Sequence, residues 1–274
     1  MQERVPQRHD HAGLLVEKLE AGIAMLVLDR PGARNALSRA LIAELHSAIL
    51  SLAADASVCV IIIAARGPVF SAGHDLRELT GHRTDADGGR AFFAETMSAC
   101  SALMQAIVAC PKPVIAAVQG LATAAGCQLV ATCDLAVAGT SATFATPGVN
   151  IGLFCSTPMV ALSRAMPRKR VMEMLLLGEL LTAQDAQQWG LVNRVVADGS
   201  VVDEALGLAR TIASKSKATV ATGKRAFYAQ AGMPLHEAYA YAAGVMTENM
   251  MTADACEGIG AFLAKRPPVW EPDT

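Results

Sequence analysis

The sequence predicts an α/β fold in which strands and helices alternate through the first half of the chain and helices alone follow. Apolar runs at residues 58–64, 113–118 and 134–138 have the nearly continuous aliphatic pattern of strands that are covered on both faces. The first two runs are followed by turn residues and then by helical patterns. Hydrophobic residues make up 53% of the 274 residues and aromatic residues only 4%, so the core should be aliphatic.

The first elements in chain order are a strand pair, a helix and a covered strand. Residues 14–19 and 23–28 are apolar runs on either side of Ala21-Gly22, which is typical of two strands joined by a turn. Ser38 is a suitable N-cap for a helix through residue 52, because its hydroxyl can accept an N–H of the first turn. Residues 58–64, rich in β-branched side chains, then form the covered strand.

The middle of the chain contains one polar stretch between regular elements. Residues 80–89 are polar with few apolar anchors, and we predict a mobile loop there. Residues 90–108 have the pattern of a long helix. A strand at 113–118, a helix at 123–132 and a strand at 134–138 complete the alternation.

From Pro158 onward the sequence has only helical patterns. The helices predicted in this block cover residues 159–165, 168–177, 183–189, 201–214, 218–231, 235–250 and 253–265. We therefore divide the chain into a disordered tail at residues 1–12, a core at residues 13–200 and a helical region at residues 201–274.

Charge and cysteine content argue against several classes of function. A formal net charge of −2 without a sustained basic run gives no surface for nucleic acid. The seven cysteines include no Cys-x-x-Cys, and no histidine pair has ligand spacing, so we expect reduced thiols and no metal site. No uncharged apolar stretch approaches ~20 residues, so no membrane span is expected. The polar start lacks the apolar run of a secretory signal. These observations predict a cytoplasmic protein.

Two segments carry the most specific pattern. Residues 70–79, Phe-Ser-Ala-Gly-His-Asp-Leu-Arg-Glu-Leu, and residues 120–128, Gly-Leu-Ala-Thr-Ala-Ala-Gly-Cys-Gln, each place small residues between a buried run and a helical pattern. Backbone N–H groups at the start of a helix have no acceptor within it. The N–H groups of His74 and Ala125 could therefore converge on one carbonyl oxygen. Such an oxyanion hole stabilises the negative charge that develops when a thioester becomes an enolate.

With these segments the chain resembles the crotonase, or enoyl-CoA hydratase/isomerase, family. Residues 30–37 are similar to its first CoA-contacting turn, 112–120 to the strand before the second donor, 181–192 to its turn into the last strand, and 262–268 to its C-terminal signature. The resemblance implies a crotonase-type ββα spiral core, a C-terminal α-helical trimerisation region, and a coenzyme A thioester as ligand without a permanently bound cofactor. The residues that it implies in ligand binding are Ala33, Arg34, Ala72, Asp75, Leu76, Arg77, Cys155, Ser156, Phe262 and Lys265.

The chain departs from the family where hydratases carry two catalytic glutamates. Gln128 and Gly148 stand at those positions, and Ser156 stands where isomerase-like members carry an aspartate. Hydration of an unsaturated thioester needs a base to activate water and an acid to protonate the α-carbon, which neither residue supplies. A recruited water or anion could occupy the space at Gly148, as bicarbonate does in family members with glycine there. The amide of Gln128 either has structural partners or lies in a ligand pocket.

Other polar residues near these segments have structural interpretations. We interpret His74 as a donor of its backbone N–H rather than as a general base, since a histidine in a turn titrates near neutrality without being catalytic. Asp75 and Glu78 suit the first turn of a helix, where carboxylates interact favourably with the helix dipole. Cys155 and Ser156 have no nearby base in the sequence, so a nucleophilic role is not favoured.

The sequence thus leads to a family enzyme that stabilises an acyl-CoA enolate and has weak or absent hydratase activity. Two alternatives stay open. One is a non-catalytic acyl-CoA binding or scaffolding protein, and the other is an isomerase, thioesterase or decarboxylase that uses a recruited water or anion. Apolar side chains on several faces of the helices after residue 201 predict a homotrimer or homohexamer. The family places Phe262 and Lys265 at a neighbour's CoA pocket.

Overall fold

A computed structural model describes residues 13–270, so the predicted tail at residues 1–12 lies outside the described part. Its strands are β1 Leu14–Lys18, β2 Ile23–Leu28, β3 Val60–Ala65, β4 Val69–Ser71, β5 Val114–Val118, β6 Leu121–Thr123, β7 Leu135–Gly139, β8 Thr143–Ala145, β9 Leu181–Thr182 and β10 Arg194–Val196. Its α-helices are α1 Arg39–Ala54, α2 Leu76–Gly81, α3 Arg90–Ala109, α4 Ala125–Thr132, α5 Pro158–Ala165, α6 Arg168–Leu177, α7 Ala183–Gln188, α8 Val201–Ala213, α9 Lys217–Gln230, α10 Leu235–Met250 and α11 Ala253–Leu263.

The larger sheet has six strands in the order β1-β2-β3-β5-β7-β10. Strand β1 is antiparallel to β2, and the other neighbours are parallel. Alternate side chains of β3 enter two different apolar clusters: Ile61 and Ile63 lie on the face shared with α1 and α3, and Ile62 lies on the face shared with α8. Both faces are therefore covered, as the continuous aliphatic pattern predicts.

A smaller sheet has the order β4-β6-β8-β9. Strands β4, β6 and β8 are parallel to one another, and each is only three residues long. Because three residues are too few to show an alternating pattern, the sequence did not identify these strands. The helix predicted at 123–132 therefore starts two residues too early: Thr123 ends β6, and α4 starts at Ala125.

The stretch at residues 80–89, where we predicted a mobile loop, is partly helical and makes several contacts. Helix α2 continues to Gly81 and a short 3-10 helix follows. The ring of His82 stacks on Phe92 with centroids 3.5 Å apart, and its Nδ1 lies 2.8 Å from Asp85. The carboxylate of Asp87 accepts N–H groups at the start of α3. Polar side chains that bond to nearby backbone supply the anchors that the composition did not indicate.

The helical region at residues 201–274 begins with α8, a helix that belongs to the core. Side chains of α8 pack on the larger sheet, whereas α9 and α10 have no buried residue and α11 buries only Ala261. Helix α9 is joined to the core by Lys224, whose Nζ lies 2.6 Å from Asp134. The predicted division at residue 201 thus passes between the sheet and a helix that packs on it, and oligomerisation through residues 201–274 stays a prediction.

Three features bear on location and cofactors. All seven cysteines are free thiols. Within residues 13–270, α3 is the one helix that is long and apolar enough to cross a membrane, judged by length and composition alone. Core helices of globular proteins pass the same test. Helix α3 contributes Cys100 and Leu103 to the core. No group of three or more His, Cys, Asp or Glu side chains in that range could hold a metal ion.

Candidate active site

The candidate site lies at the carboxyl ends of β4, β6 and β8. Because these neighbouring strands are parallel, the segments that follow them emerge at the same edge of the smaller sheet. The first segment leads through residues 72–75 into α2, the second leads into α4, and the third enters the 3-10 helix Pro147–Ile151. The topology therefore brings His74, Ala125 and Gly148 to one edge.

Hydrogen bonds fix the first segment on the turn before α1. The N–H of Ala72 donates to the carbonyl oxygen of Arg34 at 3.0 Å, and the N–H of Leu37 donates to that of Gly73 at 2.8 Å. These bonds place the predicted ligand residues Arg34 and Ala72 side by side. The N–H of His74 has no acceptor among residues 13–270.

The second segment is strained where β6 passes into α4. Ala124 has φ 49° and ψ −118°, a conformation that costs a residue with a Cβ about 1–3 kcal/mol. Its N–H donates to Ala145 at 2.9 Å, while the N–H of Ala125 has no acceptor in the described part of the chain. Gly73, with φ 84°, permits close approach, because a Cβ there would lie 2.9 Å from the Cβ of Ala124 and 3.1 Å from the nitrogen of Ala125. The two donor segments are therefore in contact.

Three side chains at this edge have buried polar atoms without a hydrogen-bond partner among residues 13–270. These atoms are both ring nitrogens of His74, Oε1 of Gln128 and Oγ1 of Thr146. Gln128 follows Ala125 by one helical turn, and Thr146 follows the residue that accepts the N–H of Ala124. Because buried polar groups are nearly always hydrogen-bonded, such a cluster favours a site that a ligand or ordered water completes.

Burial also affects the imidazole of His74. It lowers the pKa of His74 below the ordinary value of 6.5, and the nearby backbone of Leu37 opposes this only in part. The ring is therefore neutral at pH 7 and offers one donor and one acceptor.

The third segment has little free space at the position of the second missing glutamate. A Cβ on Gly148 would lie 2.8 Å from the carbonyl oxygen of Leu153 and 2.9 Å from Sγ of Cys155. Burial raises the pKa of Cys155, so its sulfur is a thiol rather than a nucleophilic thiolate. Ser156 is exposed, and its hydroxyl donates to the carbonyl oxygen of Phe154.

Asp75 is the N-cap of α2. One of its carboxylate oxygens accepts the N–H groups of Arg77 and Glu78, at 3.1 and 3.3 Å, and the other lies 3.4 Å from Arg30. The geometry agrees with the structural interpretation of this carboxylate. Leu76 and Arg77 point their side chains to solvent on the first turn of the same helix.

Ala33 and Arg34 lie in the turn between β2 and α1, and Asn35 ties this turn to the small sheet. Asn35 is fully buried, and its Nδ2 donates to the carbonyl oxygens of Arg66 and Val69. Asn35 and Thr146 were not singled out from the sequence as site residues. The available signal was a polar residue within a tight turn, for Asn35, or directly after a buried run, for Thr146.

Phe262 and Lys265 lie at the end of α11, which packs against α10. The side chain of Phe262 is 82% exposed. No hydrogen bond or ion pair within residues 13–270 joins either residue to the strand ends.

A cavity of about 240 Å³ lies elsewhere, at the amino ends of β3 and β5. Its lining includes Cys59, Lys112 and Lys217 and shares no residue with the candidate site. We therefore do not assign it to the predicted thioester.

Comparison with known proteins agrees with the geometry. The family model for enoyl-CoA hydratase/isomerase matches residues 18–273. Enoyl-CoA hydratase domain-containing protein 3, mitochondrial, from Rattus norvegicus is 51% identical over 249 residues, which are 91% of this chain and 81% of the rat protein.

Two crystal structures are similar over nearly the whole chain. That of human enoyl-CoA hydratase domain-containing protein 3 has a TM-score of 0.90 at 49% identity and covers 94% of this chain and 100% of its own. That of an enoyl-CoA hydratase from Mycobacterium smegmatis also has a TM-score of 0.90 at 49% identity, with 94% and 99% covered.

These findings correct one prediction and confirm another. The rat relative is named as mitochondrial, which contradicts the predicted cytoplasmic location, and we withdraw that prediction. The predicted family and its crotonase-type α/β fold are confirmed by the family model and by the two crystal structures. The chain belongs to the enoyl-CoA hydratase/isomerase family.

Proposed function

We propose that this protein binds an acyl-CoA thioester and stabilises its enolate between the backbone N–H groups of His74 and Ala125. The observation that carries the proposal is that both groups lie at neighbouring strand ends, on segments in contact, without an acceptor in the described part of the chain. Preorganised donors of this kind act without reorganisation when charge develops, and each contributes about 10²–10³-fold to the rate. The strain at Ala124 supports the proposal, because strained backbone of this kind clusters at functional sites.

The hydratase chemistry of two-glutamate relatives is not expected of this site. Gln128 cannot exchange a proton at neutral pH, and Gly148 has no side chain. A positioned proton-transfer group contributes about 10²–10⁴-fold, so the loss of two leaves hydration slower by roughly 10⁴-fold or more.

The coenzyme A moiety and the assembly follow the family resemblance. We place the ligand along the turn at Ala33 and Arg34 and the start of α2 at Leu76 and Arg77. The protein carries no permanently bound cofactor in this proposal, and Phe262 of one chain joins the site of another in a homotrimer or homohexamer. Exposed apolar side chains support such an assembly: Phe227, Tyr239, Met246, Met250, Met251, Phe262 and Leu263.

The test is exchange of the α-protons of butyryl-CoA in deuterated water, measured by mass spectrometry beside binding measured by calorimetry. Ala125→Pro removes one donor, and proline is tolerated at the first helical position, so exchange should fall about 10²-fold or more. Ala253→Pro makes the same change at the exposed start of α11 and is the matched control.

Each outcome separates the candidates. Exchange by the wild type that Ala125→Pro abolishes supports the enolate proposal. Binding without exchange by the wild type would favour a binding or scaffolding protein, and no binding would refute the proposal.

A further inference from the structure

The segments that follow β4, β6 and β8, at residues 72–81, 124–132 and 146–157, contain few groups that can exchange a proton. The titratable side chains in these segments are His74, Asp75, Arg77, Glu78, Cys127 and Cys155. The adjoining residues 30–37 before α1 add Arg30 and Arg34. An enolate forms only if one group accepts a proton from the α-carbon, so a base is to be sought in this set.

The two carboxylates of the set already have structural partners. Asp75 accepts two N–H groups of α2 and faces Arg30. Glu78 accepts the N–H of Arg39 at 3.0 Å and thereby caps α1. A carboxylate that is used as a cap cannot leave its helix end without exposing that end's unsatisfied donors.

The two thiols are poor bases for a different reason. Burial raises the pKa of Cys127 to about 12 and also raises the pKa of Cys155. Both therefore remain protonated at neutral pH. The arginines are always charged and cannot accept a proton.

The imidazole of His74 is the group left by this comparison. Both of its nitrogens are buried, and neither has a hydrogen-bond partner among residues 13–270. Its own backbone N–H is one of the two proposed donors, so the Cα of His74 lies beside the thioester carbonyl in that proposal. The neutral polar atoms of Gln128 and Thr146 at the same edge are also buried and unpartnered among residues 13–270.

We infer that His74 is the catalytic base of this site, an inference that rests on the proposed function. Its unprotonated ring nitrogen takes a proton from the α-carbon of the thioester. The C–H electron pair forms the carbon–carbon double bond of the enolate, and the carbonyl π pair moves to the oxygen held by the two N–H groups. The imidazolium then returns a proton to the α-carbon or to another position on the acyl chain. No co-reactant is required, and the net reaction is proton exchange or isomerisation.

The structure thus changes the interpretation of this histidine. The sequence favoured a role for its backbone N–H alone, with a partly exposed imidazole. The ring nitrogens are instead enclosed and unpartnered, which a solvated turn residue would not be.

The test compares His74→Ala and His74→Gln with the wild type, using butyryl-CoA exchange in deuterated water. Both variants keep the backbone N–H, so binding of butyryl-CoA should stay within about threefold while exchange falls about 10²-fold or more. Added imidazole should restore part of the exchange in His74→Ala, where it can occupy the vacated space, and none in His74→Gln. His236→Ala, at a ring 83% exposed on α10, is the control and should exchange like the wild type.

The outcomes distinguish the inference about His74 from the proposed enolate stabilisation on which it rests. Wild-type exchange that survives in both variants would overturn the role of His74 and leave the oxyanion hole standing. Loss of exchange in both variants without rescue by imidazole would assign His74 a structural role and also overturn the inference. A wild type that binds butyryl-CoA without exchange, or does not bind it, would refute the enolate proposal itself.

Discussion

Restoring the two glutamates tests how far the third segment has changed from a hydratase site. The double substitution Gln128→Glu with Gly148→Glu supplies both carboxylates, but the space for the second is absent. A Cβ at 148 would lie 2.8 Å from the carbonyl oxygen of Leu153, and the N–H of Leu153 in turn donates to the carbonyl oxygen of Gly148 at 2.9 Å. The group that obstructs the new side chain is therefore a backbone carbonyl in a segment that a backbone hydrogen bond holds in place. A change of side-chain rotamer cannot move it.

The size of the effect follows from this contact. Gly148 does not have a positive φ, so a side chain at this position meets a steric obstacle rather than a conformational one. Overpacking of this kind costs about 1–3 kcal/mol. For a chain of this length about 1 kcal/mol corresponds to about 2–4 °C, so Gly148→Ala should lower the melting temperature by about 2–12 °C.

Thermal melting of three variants, and crotonyl-CoA hydration by the double glutamate variant and the wild type, make up the assay. Cys155→Ala in the Gly148→Ala background should recover only part of the loss, because it removes Sγ and leaves the Leu153 carbonyl. Gly199→Ala, where a Cβ meets nothing within 4 Å, is the matched control and should melt like the wild type. If the double glutamate variant folds, its hydration of crotonyl-CoA should exceed that of the wild type by roughly 10²-fold or more. A Gly148→Ala variant that melts like the Gly199→Ala control would refute the steric argument.

Three further predictions follow from other parts of the structure. Lys224→Met leaves Asp134 without its buried partner and should lower the free energy of unfolding by about 3 kcal/mol or more in a urea titration, and a loss below about 1 kcal/mol would contradict this. Butyryl-CoA exchange should fall as the pH drops, with a midpoint below 6.5, because burial lowers the pKa of the basic imidazole of His74; a midpoint above 6.5 would count against it. Light scattering at micromolar concentration should report a trimer or hexamer, and a stable monomer would contradict the role given to the exposed apolar faces of α9–α11.

The sequence predicted five of the six strands of the large sheet and most helices, because their patterns are long enough to recognise; β10 lies in the stretch for which only helices were predicted. The run at 58–64 corresponds to β3, and the periodicity at 90–108 corresponds to α3, each within two residues. The strands β4, β6 and β8 were missed, since three residues cannot show a period and their order depends on long-range pairing. The fold was therefore predictable in its large elements and not in the small sheet that positions the site.

The backbone of the candidate site was easier to predict than its side chains. Small residues at a helix start indicate free N–H groups at His74 and Ala125 from local sequence alone. Whether the ring of His74 is enclosed depends instead on which elements surround it, and that is a property of the tertiary structure. The same holds for Thr146, whose hydroxyl becomes notable only because it is buried without a partner.

The unfavourable features at this edge have a common physical explanation. A residue at φ 49° and buried polar atoms without partners in the described part of the chain are each unfavourable for folding, by about 1–3 kcal/mol apiece. They occur together at the ends of three adjacent strands, where an anionic oxygen would accept two N–H groups and a polar ligand would satisfy the imidazole, amide and hydroxyl. In the proposed function these features serve transition-state binding, in which donors held ready without partners stabilise charge only when the reaction creates it.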